Sequence, residues 1–336
     1  MKPYFSLSKS RMMEQYNILK QRGFNISYSF KTNPVVATLL EKMTDCDFSI
    51  HSFEQAGTIK DKGRVWFLPQ GWSEEEAKAI LGMGIRKFVI DNEGDLRVLE
   101  KVVNDKITLL LRIKMKEHTI FTGKYFVYGF STRKANELLR EFHKKPFIKG
   151  IGIHFHRKTE NVGEWSIREE LSQSITEWDK ISIVNIGGGL PVKYANVSNF
   201  NINFILDKIS ELKGFLDSKG IKLILEPGRF IAAPAIKLHA EVVNVVDNNI
   251  FVNCSVYNSF PDTLYYSLKL PVEGEGEGDD YLIKGNTPCS MDIFRYRVKL
   301  PKRPQKGDKI TFLNAGAYNF HSDFMWLKKI ETRVVP

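Results

Sequence analysis

Lys31 stands in an otherwise apolar segment, SYSFKTNP, where an ammonium is costly unless its charge is paired or its amine is used covalently. Lysine amines that can lose their proton form Schiff bases with carbonyl groups, so holding an aldehyde is the chemistry this position offers. A strand-end lysine reaching solvent is the plain alternative. In ISIVNIGGGLP, Gly187, Gly188 and Gly189 follow a β-branched run. They expose backbone N–H groups with no side chains in the way, which suits a phosphate as well as a tight turn. In LEPGRF, Glu226 ends an apolar run and Arg229 follows Pro227 and Gly228, where a guanidinium could add a charged donor to the same phosphate. His154 and His156 in GIGIHFHRKT are two apart and share a face if the segment is a strand. A metal pair would need a third ligand at recognisable spacing, and none stands nearby. An imidazole against a flat ring is the better use of His156, with His154 filling an interior layer.

These residues need a scaffold that gathers them. Short apolar, β-branched runs recur at Ser27 to Lys31, Phe48 to Ile50, Val65 to Pro69, Lys87 to Asp91, Thr108 to Ile113, Ile148 to His156, Ile181 to Ile186 and Lys222 to Leu225. Helical stretches lie between them, such as Glu74 to Leu81 after a Ser73 cap, Arg133 to His143, and Phe204 to Lys219 before Gly220. Eight nearly all-apolar strands alternating with helices predict an α/β fold, a closed (β/α)8 TIM barrel, with a doubly wound open sheet as the alternative. In such barrels chemistry sits at the carboxyl ends of the strands. Lys31, His51, Arg112, His156, the three glycines, Glu226 and Arg229 all fall at such ends.

After Arg229 the rhythm changes to strands without helices: Ala240 to Val246, Ile250 to Tyr257, Leu264 to Val272, Asp280 to Ile283, Arg295 to Leu300 and Lys309 to Leu313. That predicts a smaller antiparallel β domain over residues 235–336 after a barrel over 8–234, with residues 1–7 packing on the β domain. The run GEGEGDD, from Gly274 to Asp280, reads as a solvated acidic loop.

The bulk numbers exclude several classes. Of 336 residues, 43% are hydrophobic and 26% charged, the balance of a globular chain with a real core. A net charge of +10 arises from 49 basic residues scattered among 39 acidic ones, a solvated surface and not a nucleic-acid stripe. Three cysteines, Cys46, Cys254 and Cys289, show no paired spacing and fit a reducing compartment. MKPYFSLSKS lacks the apolar core of a signal peptide, and no apolar run approaches the roughly 20 residues that span a bilayer, so a cytoplasmic protein without a membrane partner is expected.

Taken in order, SYSFKTNP, LLLRIK, HFHRKT, NIGGGLP, LEPGRF, GNTPCSMD and GAYNF resemble the motifs of the ornithine, diaminopimelate and arginine decarboxylase family, the fold-type III decarboxylases, over nearly the whole chain. The resemblance implies pyridoxal 5'-phosphate as cofactor, a barrel followed by a β domain, and decarboxylation of a small-molecule amino acid. It assigns Lys31 to the cofactor aldehyde, Arg112 to the neighbourhood of the cofactor, and His156 to stacking on its ring. Thr159, Gly187, Gly188, Gly189, Arg229 and Tyr318 would attend the phosphate, and Glu226 would pair with the pyridine nitrogen. Cys289 matches a cysteine that family members lend across a homodimer interface, so catalysis would rest on Lys31, Cys289, His156 and Glu226 with shared active sites. The spacing from Cys289 to Asp292 is one residue shorter than the family's.

The same resemblance leaves the substrate open among ornithine, lysine, arginine and diaminopimelate. Ser290 and Tyr266 occupy positions where relatives acting on ornithine carry acids, and Asp292, Asp262 or the Asp279/Asp280 pair would have to replace them. The run from His156 to Asn161 is also similar to that of carboxynorspermidine decarboxylases. An amino-acid racemase, a non-catalytic pyridoxal phosphate carrier and a metal-dependent barrel hydrolase are the rival readings.

Overall fold

The computed structural model describes residues 1–115, 128–197 and 199–336. After β1 (Tyr4–Ser8) come β2 (Asn25–Ser29), β3 (Asp47–Ile50), β4 (Val65–Phe67), β5 (Lys87–Ile90), β6 (Ile107–Arg112), β7 (Ile148–His154), β8 (Ile183–Asn185) and β9 (Lys222–Leu225). β2 to β9 close into a parallel barrel in chain order, and β9 returns to β2 with Asn25 opposite Ile224 and Ile26 opposite Leu225. Trp66, Leu68, Val89, Leu110 and Ile224 form a buried cluster with Ile183 packed against it, the filled interior that a barrel of this size needs.

Local chemistry sets the ends of the elements. Ser73 caps the helix Glu74–Gly82 through a capping box with Glu76, so the expected cap is present. The helix after β2 shows why the lysine segment is shaped as it is. Asn33 accepts from the backbone N–H groups of Val35 and Val36, and Pro34 takes the first helical position, where its missing N–H costs nothing. These signals pull the chain out of the strand early. β2 stops at Ser29, and Phe30–Thr32 form a 3-10 turn, so Lys31 lies on that turn and not in the strand. His156 is corrected in the same way: β7 ends at His154, which places His156 in the loop beyond.

Contacts divide the chain into two units. One comprises Ile18–Pro191 and Phe200–Gly228, which contains the barrel; the other comprises Met1–Asn17, Val192–Asn199 and Arg229–Pro336. The second unit holds β10 (Ile236–Val246), β11 (Asn249–Val252), β12 (Asp279–Lys284), β13 (Ile293–Leu300), β14 (Lys309–Phe312) and β15 (Glu331–Val335). Its sheet runs β13-β12-β11-β10-β1-β15, with β14 also on β10. It is antiparallel except that β1 pairs with β15, and β11 with β12, in parallel.

Of the expected strands, Ile250 to Tyr257 is cut short, surviving as β11, and Leu264 to Val272 is absent. Beyond Val252 the chain forms a short helix, Val256–Ser259, because the Ser255 hydroxyl accepts from Tyr257 N and the Asn258 side chain accepts from Ser255 N. The stretch Leu264 to Val272 is not a strand either. Asp262–Tyr265 is helical, Ser267 has a positive φ of 53°, and only Val272 makes a bridge, to Phe312. The acidic loop also departs from a merely solvated turn, since Glu275 accepts from Val272 N and pairs with the buried Arg295. Among the described residues no helix is long and apolar enough to cross a membrane, and no cluster of three or more metal-ligating side chains occurs.

Candidate active site

At the carboxyl ends of the barrel strands, Glu226 is the best-held group. Ser49, from β3, donates to its Oε1 at 2.6 Å, and Asn185, from β8, donates to the same oxygen at 2.9 Å. His154, from β7, presents Nε2 to the other oxygen at 3.2 Å. Burial alone pushes such a carboxyl up, but His154, Ser49 and Asn185 outweigh it and hold Glu226 well below the usual carboxylate range. Ser27 extends the network through a 2.7 Å contact with the Ser49 hydroxyl. Four strands thus fix one negative charge.

Lys31 belongs to the same group. Its side chain is open at the barrel mouth, yet its ammonium lies deep enough that burial lowers its pKa; Glu226 opposes that shift and Arg112 adds to it. Arg112 ends β6 with its guanidinium 5.3 Å from the centroid of the Tyr128 ring. His156 has its pKa lowered to about 3 by burial first, then by Arg112 and Lys31. Its ring is therefore neutral at pH 7, with Nδ1 accepting from Gly188 N at 3.3 Å. His51, directly after β3, is lowered to about 4, again by burial and then by Lys31.

The glycine loop leaves no room for side chains. Gly187 and Gly189 have positive φ of 67° and 100°, and a Cβ on Gly187, Gly188 or Gly189 would come within 2.7 Å of the backbone oxygens of Phe155, Glu226 or Lys158. The loop that carries Thr159 is tied to it, Asn161 N donating to Gly189 O at 2.8 Å; Thr159 itself is exposed. Gly228 is required as well, since a Cβ there would collide with the Thr32 side chain beside Lys31. A bare backbone cradle, an amine of lowered pKa and a fixed carboxylate fit the three ends of pyridoxal phosphate: its phosphate, its aldehyde and its pyridine nitrogen.

In the second unit, the other expected residues fall into two groups. Arg229 opens the helix Arg229–Ala235 and is buried with Asp262, Nη2 lying 2.7 Å from Oδ2. It also donates to the Tyr194 hydroxyl at 3.0 Å, and the Tyr318 ring lies 5.0 Å from its guanidinium. Its charge therefore meets a carboxylate within its own unit, and Asp262 is correspondingly withdrawn as a partner for a substrate ammonium. The second group surrounds Cys289. Tyr257 shares a 3.0 Å hydrogen bond with its sulfur, which lowers the thiol pKa and pushes Tyr257 up to about 12. Asp292 departs from the expected substrate role: it is fully buried, and its carboxylate accepts from Val256 N and from the Thr287 N and hydroxyl, bracing the Cys289 loop. Ser290 and Tyr266 are exposed, and the Asp279/Asp280 pair lies exposed on β12.

The sequence alone does not single out Ser49 or Asn185, and it points to His154 only as an interior filler. The available signal was a polar residue inside each of the short apolar runs DFSI, IVN and GIGIH, which a filled barrel tolerates only where a partner waits.

A closed barrel with a glycine cradle, a lysine and a buried carboxylate at its mouth defines a pyridoxal-binding barrel. Residues 21–233 match the family model described as pyridoxal-dependent decarboxylase, pyridoxal binding domain, and the chain belongs to that family. It is a pyridoxal-phosphate-dependent carboxy-lyase. Diaminopimelate decarboxylase of Staphylococcus aureus is 24% identical over 93% of this chain and 82% of its own length. Ornithine decarboxylase of Cricetulus griseus is 26% identical over 87% of this chain and 70% of its own. The fold is shared with diaminopimelate decarboxylase of Helicobacter pylori complexed with L-lysine, at a TM-score of 0.83, 20% identity and coverage of 100% of this chain and 92% of that one.

Proposed function

We propose that the protein decarboxylates a basic amino acid, of the ornithine, lysine, arginine or diaminopimelate class, using Lys31 to hold the cofactor and Cys289 of a second subunit to return the proton. The observation that carries this reading is the Glu226 carboxylate, fixed by Ser49, Asn185 and His154 beside a lysine whose ammonium is destabilised by burial. Bound pyridoxal phosphate supplies an electron sink for the pair left when the carboxylate departs as carbon dioxide.

Each residue has a distinct task. Lys31, its pKa lowered, presents a neutral amine more readily than a solvated lysine would. Glu226 would hold a proton on the pyridine nitrogen of the cofactor, since an anion that its hydrogen bonds keep charged favours the cationic form of its partner. His156 stays neutral and offers a flat face, so no second cation competes with that arrangement. Gly187, Gly188, Gly189 and Thr159 would receive the cofactor's phosphate, and Arg112 would add a cation to the site. Arg229, paired with Asp262, then acts by placing Tyr318 and Tyr194.

Cys289 is suited to proton transfer because the hydrogen bond from Tyr257 stabilises its thiolate and brings the thiol nearer neutrality. The measurement is carbon dioxide release from L-ornithine, L-lysine, L-arginine and meso-diaminopimelate by the holoenzyme, with loss of optical activity followed in parallel. Release from one of them supports the reading; racemisation without release contradicts it. Shared sites are tested separately: a mixture of Lys31→Ala and Cys289→Ala chains, each inactive alone, recovers activity if the cysteine crosses between subunits.

A further inference from the structure

We infer that the cavity beside Ser290 is an anion-binding subsite, and that the substrate therefore carries a carboxylate at its far end. The inference rests on the reading that the Cys289 loop meets substrate.

Within the second unit a cavity of about 590 Å³ is lined by Ser290 and Met291 of that loop together with Lys269, Arg295, Tyr296 and Thr263. None of its lining residues is acidic. Its two cations are not equivalent. Arg295 gives two N–H groups to the Glu275 carboxylate, at 3.1 and 2.7 Å, and another hydrogen bond to Leu270 O, so its charge is met. Lys269 has no carboxylate partner among the described residues. Its ammonium lies 5.1 Å from the centroid of the Tyr296 ring; burial lowers its pKa, and the Arg295 cation adds to that shift.

The backbone holds this lysine in place. Ala195 N donates to Lys269 O at 2.8 Å, and Lys269 N donates to the Asn196 side chain, whose amide nitrogen in turn bonds Ser267 O. The positive φ of Ser267 makes the turn that permits the clamp. Two cations against one carboxylate leave a surplus positive charge facing an open polar space. An ammonium brought there would meet like charge, whereas a carboxylate would be attracted to Lys269 and could accept from the exposed Ser290 hydroxyl. The occupant that fits is an α-amino acid with a second carboxylate at its distal end, with or without a second amine.

The test compares matched substrates on the holoenzyme: L-lysine, L-2-aminopimelate and meso-diaminopimelate. The inference expects kcat/KM for the carboxylate-ended compounds to exceed that for lysine at least tenfold. It expects Lys269→Met to reduce that ratio at least tenfold, chiefly through KM. Lysine as the better substrate, or an unchanged ratio in the variant, overturns it. If none of the three releases carbon dioxide, release from L-ornithine and L-arginine decides the decarboxylation reading separately, and calorimetry with glutarate decides the subsite independently. Glutarate binding to the wild-type holoenzyme and lost in Lys269→Met supports the anion site; equal binding to both, or to neither, overturns it.

Discussion

At the scale of single residues, two protons govern the proposed chemistry. Glu226 keeps its charge because its hydrogen bonds outweigh its burial, so Glu226→Gln removes the anion while keeping the shape. The expected result is a fall in kcat of roughly 100-fold or more with little change in KM, read from steady-state carbon dioxide release. The second proton is on Cys289. Tyr257→Phe deletes the hydrogen bond that stabilises the thiolate, so the alkylation rate of Cys289 plotted against pH shifts to higher pH, measured by mass spectrometry of iodoacetamide-treated protein. A profile that does not move would show that Tyr257 leaves the thiol untouched. Lys31, His156 and Glu226 were legible in the sequence because each is polar at the end of an apolar run. Ser49 and Asn185 were not, because small polar residues are unremarkable until the fold brings them to one carboxylate.

At the scale of elements, the glycine loop and the buried ion pair carry the predictions. Gly188→Ala forces a Cβ toward Glu226 O, at 2.7 Å, and spoils the cradle between the carboxylate strand and His156. Retention of pyridoxal phosphate through dialysis is expected to weaken by about tenfold, or 1.4 kcal/mol, while the circular dichroism of the chain is kept. Asp262→Ala leaves Arg229 buried without its carboxylate and is expected to cost roughly 3–5 kcal/mol in denaturant unfolding. The barrel strands could be read because covered parallel strands are continuously apolar. The region after Val252 could not: VYNSF and LYYSLKL have β-forming composition, yet the Ser255 cap and the positive φ of Ser267 turn them out of strands. The same local logic moved Lys31 onto a turn, where the Asn33 cap sets the end of the strand.

At the scale of the whole molecule, the fold makes acid sensitivity a property of the cofactor-free protein. In the unfolded chain a histidine binds its proton near pH 6.5. In the folded chain burial delays this to about 4 for His51, about 3 for His156 and about 4 for His239. Between those values the unfolded state binds more protons, so stability is greatest above pH 6.5 and falls as the pH is lowered. The thermal midpoint of the cofactor-free protein should therefore drop between pH 7 and pH 4, and His156→Gln should flatten part of that slope. A midpoint independent of pH would contradict the burial of these rings. The barrel and the separate sheet were both legible from the change of rhythm after Arg229, but the parallel pairing of β1 with β15 joins segments from opposite ends of the chain, which no local pattern announces.

Lys31, at the mouth of the barrel, is the residue proposed to hold pyridoxal phosphate. Borohydride reduction of the holoenzyme followed by peptide mass spectrometry tests it most directly. The expected result is a pyridoxyl phosphate mass on Lys31, together with a visible absorption band that is absent from Lys31→Ala. A label on another lysine, or an unlabelled protein that still binds the cofactor, would contradict it.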